Sequence, residues 1–365
     1  DSPRGRIYLI KDMLENDRPA DKETVTHIDR CLSCLSCVTT CPSGVDYMHL
    51  VDHARVHIEK TYKRPPLNRF TRAVLAAVLP YPARFRAAHE DRRRVLVFET
   101  EHSCVLGAVN ALAEEGFEVV RLPVDEAGRA DLGALEAALD TQTALVCLMT
   151  ANNEVGTIQP VAEAVALAHA AGAWLHSDAA QAVGKIEVNV RALEVDLLSL
   201  SGHKLYGPMG VGALFVRRRP RVRLAPLVHG GGQERGLRAG TLPMPLIVGL
   251  GHAITLAEAA RVATTARHRS LREGLLQRLD RTGLRYSLNG AASPEQRLPG
   301  NLSMSFPDLP RDALFAAMAA HGIAVSSGSA CSSHDVAPSH VLTAMGVSAA
   351  LAQQTLRIGL GRDTS

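Results

Sequence analysis

Ser199-Leu-Ser201-Gly202-His203-Lys204-Leu-Tyr-Gly-Pro208 reads as the end of a strand that breaks into a turn of small residues. The turn presents one lysine with two side chains able to hold a phosphate, Ser201 and His203. A lysine that forms a Schiff base must be poised, oriented and partly desolvated, and a strand end in an α/β sheet offers that setting. Outward from this turn, apolar runs alternate with helical patterns. Val95–Glu99, Val119–Val124, Ala144–Thr150, Trp174–Asp178, Leu197–Leu200 and Val211–Val216 read as strands. The run Ala144–Thr150 (ALVCLMT) is apolar throughout, as expected of a strand covered on both faces. Asp131 is placed to cap a helix over Leu132–Leu139, and a second helix opens at Pro160 and closes at Gly172. The alternation predicts βαβ units and a mainly parallel sheet. Arg267–Leu279 and Arg311–His321 look like helices of a smaller C-terminal domain.

Ligands of open α/β sheets bind at the carboxyl ends of the strands, and several such ends carry suitable chemistry. His176-Ser-Asp178-Ala-Ala-Gln181 closes the strand before the lysine's. Asp178 is placed to keep a pyridine nitrogen protonated, which makes the ring an electron sink. Ala151-Asn152-Asn153-Glu154-Val-Gly156 offers amide donors, and Glu101-His102 brings an imidazole that could stack on a ring and move protons. The set suits one cofactor, pyridoxal 5'-phosphate (PLP).

In order along the chain, EHSCVL, ANNEVGT, HSDAAQAVGK, SGHKLYGPMGVGAL, GGGQERGLRAGT, SSGSACSS and LRIGLGR resemble the cysteine desulfurases of the class V aminotransferase superfamily, over about residues 94–362. The resemblance implies PLP fold type I. It also implies that Lys204 holds PLP covalently, Asp178 pairs with the pyridinium, Gln181 bonds the phenolic oxygen and His102 stacks on the ring. Ser201 and His203 would bind the phosphate. Asn153 and Arg357 would hold the substrate carboxylate, Arg357 as a bidentate fork. Thr241 would reach the phosphate of a neighbouring subunit, so a homodimer is expected. Cys331, within the small-residue run Ser326–Ser333, would be the nucleophile, on a segment free to move with its sulfur. The expected reaction converts L-cysteine to alanine, with the sulfur carried as a persulfide on Cys331 to an acceptor scaffold protein. A plain aminotransferase has no use for Cys331. The family's opening stretch, with its Leu-Asp-Asn-Ala-Ala-Thr-Thr-like and Ser-Gly-Ala-Thr-Glu-like segments, has no counterpart here, so the sheet is expected to lack its N-terminal part.

The front of the chain is different in character. Four of the seven cysteines, Cys31, Cys34, Cys37 and Cys41, sit in a C-x2-C-x2-C-x3-C-P run. That spacing suits three thiolates on one iron–sulfur cube with the fourth reaching elsewhere; a zinc knuckle is the alternative. With Ser2-Pro-Arg-Gly-Arg-Ile-Tyr-Leu-Ile-Lys-Asp-Met and Cys41-Pro-Ser-Gly-Val-Asp-Tyr, the segment resembles the iron–sulfur subunit of glycolate oxidase as far as Arg86. That family carries two such motifs. One is present here, so at most one [4Fe–4S] cluster is expected. His49, His53 and His57 form a stripe on a helix, read as a solvated face. The expected domains are a helical, ferredoxin-like iron–sulfur segment at 1–90, a PLP-binding large domain at 91–255 and a small α+β domain at 256–365. Two further readings are an electron-transfer subunit of a 2-hydroxy-acid oxidase and an inert chimera.

Composition bounds the partners. A formal net charge of +3 over 365 residues and 46% hydrophobic content describe an ordinary globular chain, with no nucleic-acid partner expected. The apolar stretch Ala73–Leu79 is too short to span a bilayer. No secretory signal is evident, so the cysteines are not expected in disulfides and the chain is expected in the cytoplasm with no membrane partner.

Overall fold

The computed structural model describes residues 3–16, 19–21, 24, 54, 57, 92–226, 228–326 and 338–364. The chain divides into two units, Asp1–Pro80 and Tyr81–Ser365. In the first, helix α1 spans Pro3–Glu15, and Ile10 and Met13, three residues apart, are fully buried. Cys31, Cys34, Cys37, Cys41, His49 and His53 lie outside the described residues.

The second unit is built on a six-stranded sheet. Its strands are β1 (Arg94–Phe98), β2 (Glu118–Leu122), β3 (Thr143–Cys147), β4 (Trp174–Asp178), β5 (Leu197–Ser201) and β6 (Gly212–Val216), in the order β2-β1-β3-β4-β5-β6. The first five run parallel, and β6 returns antiparallel against β5. Ten residues separate β5 from β6, fewer than a parallel crossover needs, so the return has to be antiparallel.

Successive residues of β1 feed opposite faces, as the pleat requires. Leu96 and Phe98 join Val146, Leu175 and Leu198 beneath helices α3 (Leu132–Ala138) and α4 (Val161–Ala170). Val95 and Val97 join Leu145 and Leu197 beneath Val105 and Val109 of α2 (Ser103–Glu114). The carboxylate of Asp131 caps α3 by accepting from the Ala134 amide at 2.9 Å, as the sequence predicts. A further short helix, α5, covers Val190–Leu193.

The chain then enters α6, a 39-residue helix from Met244 to Thr282. Among the described residues it is the one helix long and apolar enough to cross a membrane by length and composition. Leu250 and Ala253 near its start pack on Leu205, and Leu275, Leu276 and Leu279 near its end pack on a second sheet. The boundary expected at 255/256 falls inside this unbroken helix. The second sheet is antiparallel, with β7 (Ser287–Asn289), β8 (Asn301–Ser305) and β9 (Thr355–Gly359) in that order. Helix α7 (Arg311–Ala320) closes its core through Leu314, and α8 (His340–Ala344) and α9 (Ala349–Gln353) complete the smaller α+β portion. The fold is the α/β architecture expected from the sequence, with a small C-terminal α+β part.

Candidate active site

Four adjacent parallel strands, β1, β3, β4 and β5, deliver their carboxyl ends to one edge of the large sheet. After β1 come Glu101 and His102. His102 is the N-cap of α2, and its Nδ1 accepts from the Cys104 amide at 3.2 Å. A backbone N–H can only donate, so Nδ1 carries the lone pair and the neutral ring holds its proton on Nε2. The Cys104 thiol stands 3.0 Å from the same nitrogen. Glu101 points inward and is fully buried, and one carboxyl oxygen accepts from the Met149 amide while the other has no hydrogen-bond partner among the described residues. Burial, reinforced by the negative Asp178, pushes its carboxyl up to about 8.

After β3, the buried Asn152 ties two strand ends together. Its Nδ2 donates to the Thr100 carbonyl at 3.0 Å, and its Oδ1 accepts from the amides of Glu154 and Val155. Asn153 beside it is half-buried. Glu154 accepts from the Ser339 hydroxyl at 2.5 Å; burial raises its carboxyl, and the charges of His340, Arg357 and His102 oppose that rise.

Asp178 closes β4, its Oδ1 accepting from the Ala180 amide at 2.8 Å. Its Cα partner in the sheet is Ser199, on the lysine's strand. Behind it, His176 pairs with the Ser199 hydroxyl at 3.1 Å, and burial lowers its imidazole. After β5, a 3-10 turn over Gly202–Leu205 carries Lys204, which is exposed. Gly202 is required there, because a Cβ would lie 2.9 Å from the Pro208 carbonyl oxygen. Ser201 Oγ and His203 Nδ1 are 2.8 Å apart, so the two phosphate candidates form one polar pair. Lys204, Gln181 and Lys185 together line a cavity of about 130 Å³, whose other wall is His268 and neighbours on α6 and the Leu298–Asn301 segment.

The second sheet contributes Arg357. From β9 its Nη1 donates to the Asn153 carbonyl at 3.1 Å and its Nε to the Ser326 hydroxyl at 3.0 Å. Ser326 and Arg357 also exchange two backbone hydrogen bonds, which anchors the start of the small-residue run. Electrostatic coupling links these groups further: Asp178 acts on Glu101 and Cys104, Arg357 on Glu154 and Lys185, and Lys204 on Lys185 and His203.

Of the residues singled out in the sequence, the strand ends thus carry His102, Asn153, Asp178, Gln181, Ser201, His203 and Lys204 to one edge, and Arg357 meets that edge from the other sheet. Thr241 is exposed on the run leading into α6. Cys331 lies outside the described residues. No group of three or more potential metal ligands gathers among the described residues. Glu101, Glu154, Lys185 and Ser339 join the site without any role that the sequence assigns them. A signal for Lys185 was present in its spacing of four from Gln181.

The donor set fits PLP. An amine, a carboxylate on the neighbouring strand and a Ser–His pair beside a turn match an aldehyde, a pyridine nitrogen and a phosphate.

The sequence pattern of the family described as aminotransferase class-V matches residues 70–365. A cysteine desulfurase from Rattus norvegicus is 46% identical over 274 residues, covering 75% of this chain and 60% of that protein. The chain therefore spans less than two thirds of that relative's length. Among solved structures, a NifS-like protein is similar at 37% identity and a TM-score of 0.70, over 78% of this chain and 74% of the other. A structure described as SspA in complex with cysteine is similar at 35% identity and a TM-score of 0.65, over 78% of each chain.

Proposed function

The chain belongs to the aminotransferase class-V family, and on that premise we propose that it is a PLP-dependent cysteine desulfurase, converting L-cysteine to L-alanine with the sulfur retained on Cys331. The observation that carries the proposal is the meeting of Arg357 from one sheet with the strand ends that hold Asp178, Gln181 and Lys204 on the other. The SspA structure with cysteine, a similar fold, supports the choice of substrate.

In this reading Lys204 would hold the cofactor and take the substrate α-proton. Asp178 would set a negative charge against its pyridine nitrogen, His102 would stack on it, and Ser201 with His203 would take its phosphate. When bound, PLP supplies an electron sink for charge that develops at the substrate α-carbon. Arg357, steadied by Asn153 and Ser326, holds the cysteine carboxylate, with Asn153 beside it. The Cys331 thiolate attacks the substrate sulfur. An S–S bond forms as the Cβ–S bond breaks, the electron pair stays with carbon, and reprotonation gives alanine. The persulfide then passes to an acceptor scaffold protein. Thr241 is assigned to the phosphate of a second copy, making the working unit a homodimer, and the exposed Met244, Val248, Leu256 and Val262 of α6 supply apolar surface consistent with such a contact. The cytoplasm, where thiols stay reduced, suits this chemistry. The catalytic portion is assigned to 91–255 and 256–365.

The test is direct. Purified protein given L-cysteine is assayed for alanine, alongside Cys331→Ala. Alanine from the parent and none from the variant, with the cofactor absorbance of both intact, is expected. Normal turnover by the variant would overturn the assignment of Cys331, and a parent that binds no PLP would overturn the whole reading. The C-x2-C-x2-C-x3-C-P spacing supports a separate proposal, a [4Fe–4S] cluster on Cys31, Cys34, Cys37 and Cys41 within an iron–sulfur segment of the first 90 residues. A dithionite-bleached brown chromophore is the expected sign, and a colourless apoprotein would refute it. That chromophore with no alanine would favour the oxidase-subunit reading.

A further inference from the structure

We propose that Lys185 is a positioning residue that locks the Gln181 side-chain amide in one orientation, with its carbonyl held away from the ligand on Lys204 and its NH2 turned toward it. The proposal rests on the PLP reading above and extends it to a residue outside the cofactor's own contacts.

The geometry carries the argument. Lys185 Nζ lies 2.5 Å from Gln181 Oε1, and both side chains line the cavity that Lys204 enters. A glutamine amide has two faces of similar shape, one that accepts and one that donates, and turning it over exchanges them. An ammonium has donors only, so the Gln181 atom facing Lys185 has to be the oxygen. The nitrogen then faces the other way and can only donate. Of the atoms around a pyridine aldehyde held on Lys204, the phenolic oxygen next to the captured carbon is an acceptor, which a fixed N–H would satisfy and a flipped carbonyl would repel.

Lys185 is itself held in place. Its backbone carbonyl accepts from the Thr265 hydroxyl of α6 at 3.1 Å. Burial, with added repulsion from Lys204 and Arg357, lowers its amine to about 8, so it is still an ammonium at neutral pH. Three cations are thus kept at close quarters, an arrangement that a merely solvated lysine would avoid by turning outward.

A double-mutant cycle on PLP affinity tests the lock, using apoprotein titrated with PLP and the visible band of the bound cofactor as a second readout. Lys185→Met is expected to weaken PLP binding about tenfold, and to shift the band, while Lys185→Arg, which keeps charge and donors, stays near the parent. In a Gln181→Ala background, Lys185→Met is expected to change the affinity by less than about twofold, because its route through the amide is gone. Equal effects of Lys185→Met with and without Gln181 would overturn the lock and leave Lys185 acting by charge or packing alone. Should Lys185→Met fail to fold, as judged by circular dichroism, Lys185→Ala takes its place in the same cycle: an effect on affinity and band that vanishes without Gln181 supports the lock, and an equal effect in both backgrounds sinks it. A parent protein that binds no PLP would instead defeat the functional reading itself.

Discussion

Replacing Glu101 with glutamine should flatten the dependence of stability on pH between 5 and 8. Glu101 is fully buried, and its carboxyl is raised from an ordinary 4.5 to about 8. Below 4.5 the carboxyl is protonated in both folded and unfolded chains. Between 4.5 and about 8 the unfolded chain releases the proton and the folded chain keeps it, so stability falls as pH rises through that window. Above about 8 both states are ionised and the loss is complete. At about 1.4 kcal/mol per pH unit, the ceiling on that loss is ~5 kcal/mol. Glutamine has no proton to release, keeps an oxygen to accept from the Met149 amide, and matches the neutral acid in shape. The variant should therefore lose on the order of 2–3.5 kcal/mol less than the parent between pH 5 and pH 8. Urea unfolding at the two pH values, followed by fluorescence, measures the difference, because the chain's single tryptophan, Trp174, begins β4 and packs against the core beneath α2. Activity at pH 7 should be retained, since Glu101 is already uncharged there. Parallel losses in the two proteins would show that Glu101 is not a buried neutral acid.

Arg357→Ala removes the fork that meets Asn153 and Ser326, and the loss of charge-assisted hydrogen bonds should lower kcat/KM for L-cysteine by about 10–100-fold, mostly through KM. Arg357→Lys should recover only part, because an ammonium cannot reproduce two parallel bonds; steady-state alanine assays that find KM unchanged in both would remove Arg357 from substrate binding. Gly156→Ala places a methyl 2.6 Å from Asn301 Oδ1 at a φ of +77°, and together these should cost about 2–4 kcal/mol by urea unfolding. A change below about 0.5 kcal/mol would mean that the Gly156–Asn301 contact yields freely.

The central strands β1 and β3 were legible because burial on both faces leaves continuous apolar runs: Arg94–Phe98 and Thr143–Cys147 are almost wholly interior. The second sheet was not. Ser287-Leu-Asn is three residues long, and Asn301-Leu-Ser-Met-Ser buries its serines through hydrogen bonds such as Ser305 to Thr355, so no clean alternation marks it. Helix α6 was read only from Arg267, because its first half carries apolar residues on several faces: Leu250 is buried while Val248 and Leu256 are exposed. The reversal of β6 was implicit in the short link after Leu200, though the alternation of elements upstream pointed toward another parallel strand. Within the site, residue types at strand ends disclosed Lys204, Asp178 and His102. The interior burial of Glu101 and the grip of Lys185 on Gln181 are properties of packing, and no local pattern announces them.

The unbroken course of α6 has a mechanical consequence. At 39 residues it measures ~58 Å, and it touches the turn after Lys204 at one end and the small sheet at the other. One stiff rod packed on both acts as a ruler, fixing how far the small sheet stands from that turn. Arg357 stands on that sheet, and its bond to the Asn153 carbonyl is one of several ties to the large sheet, beside Arg297 to Val155 and Asn301 to Glu154.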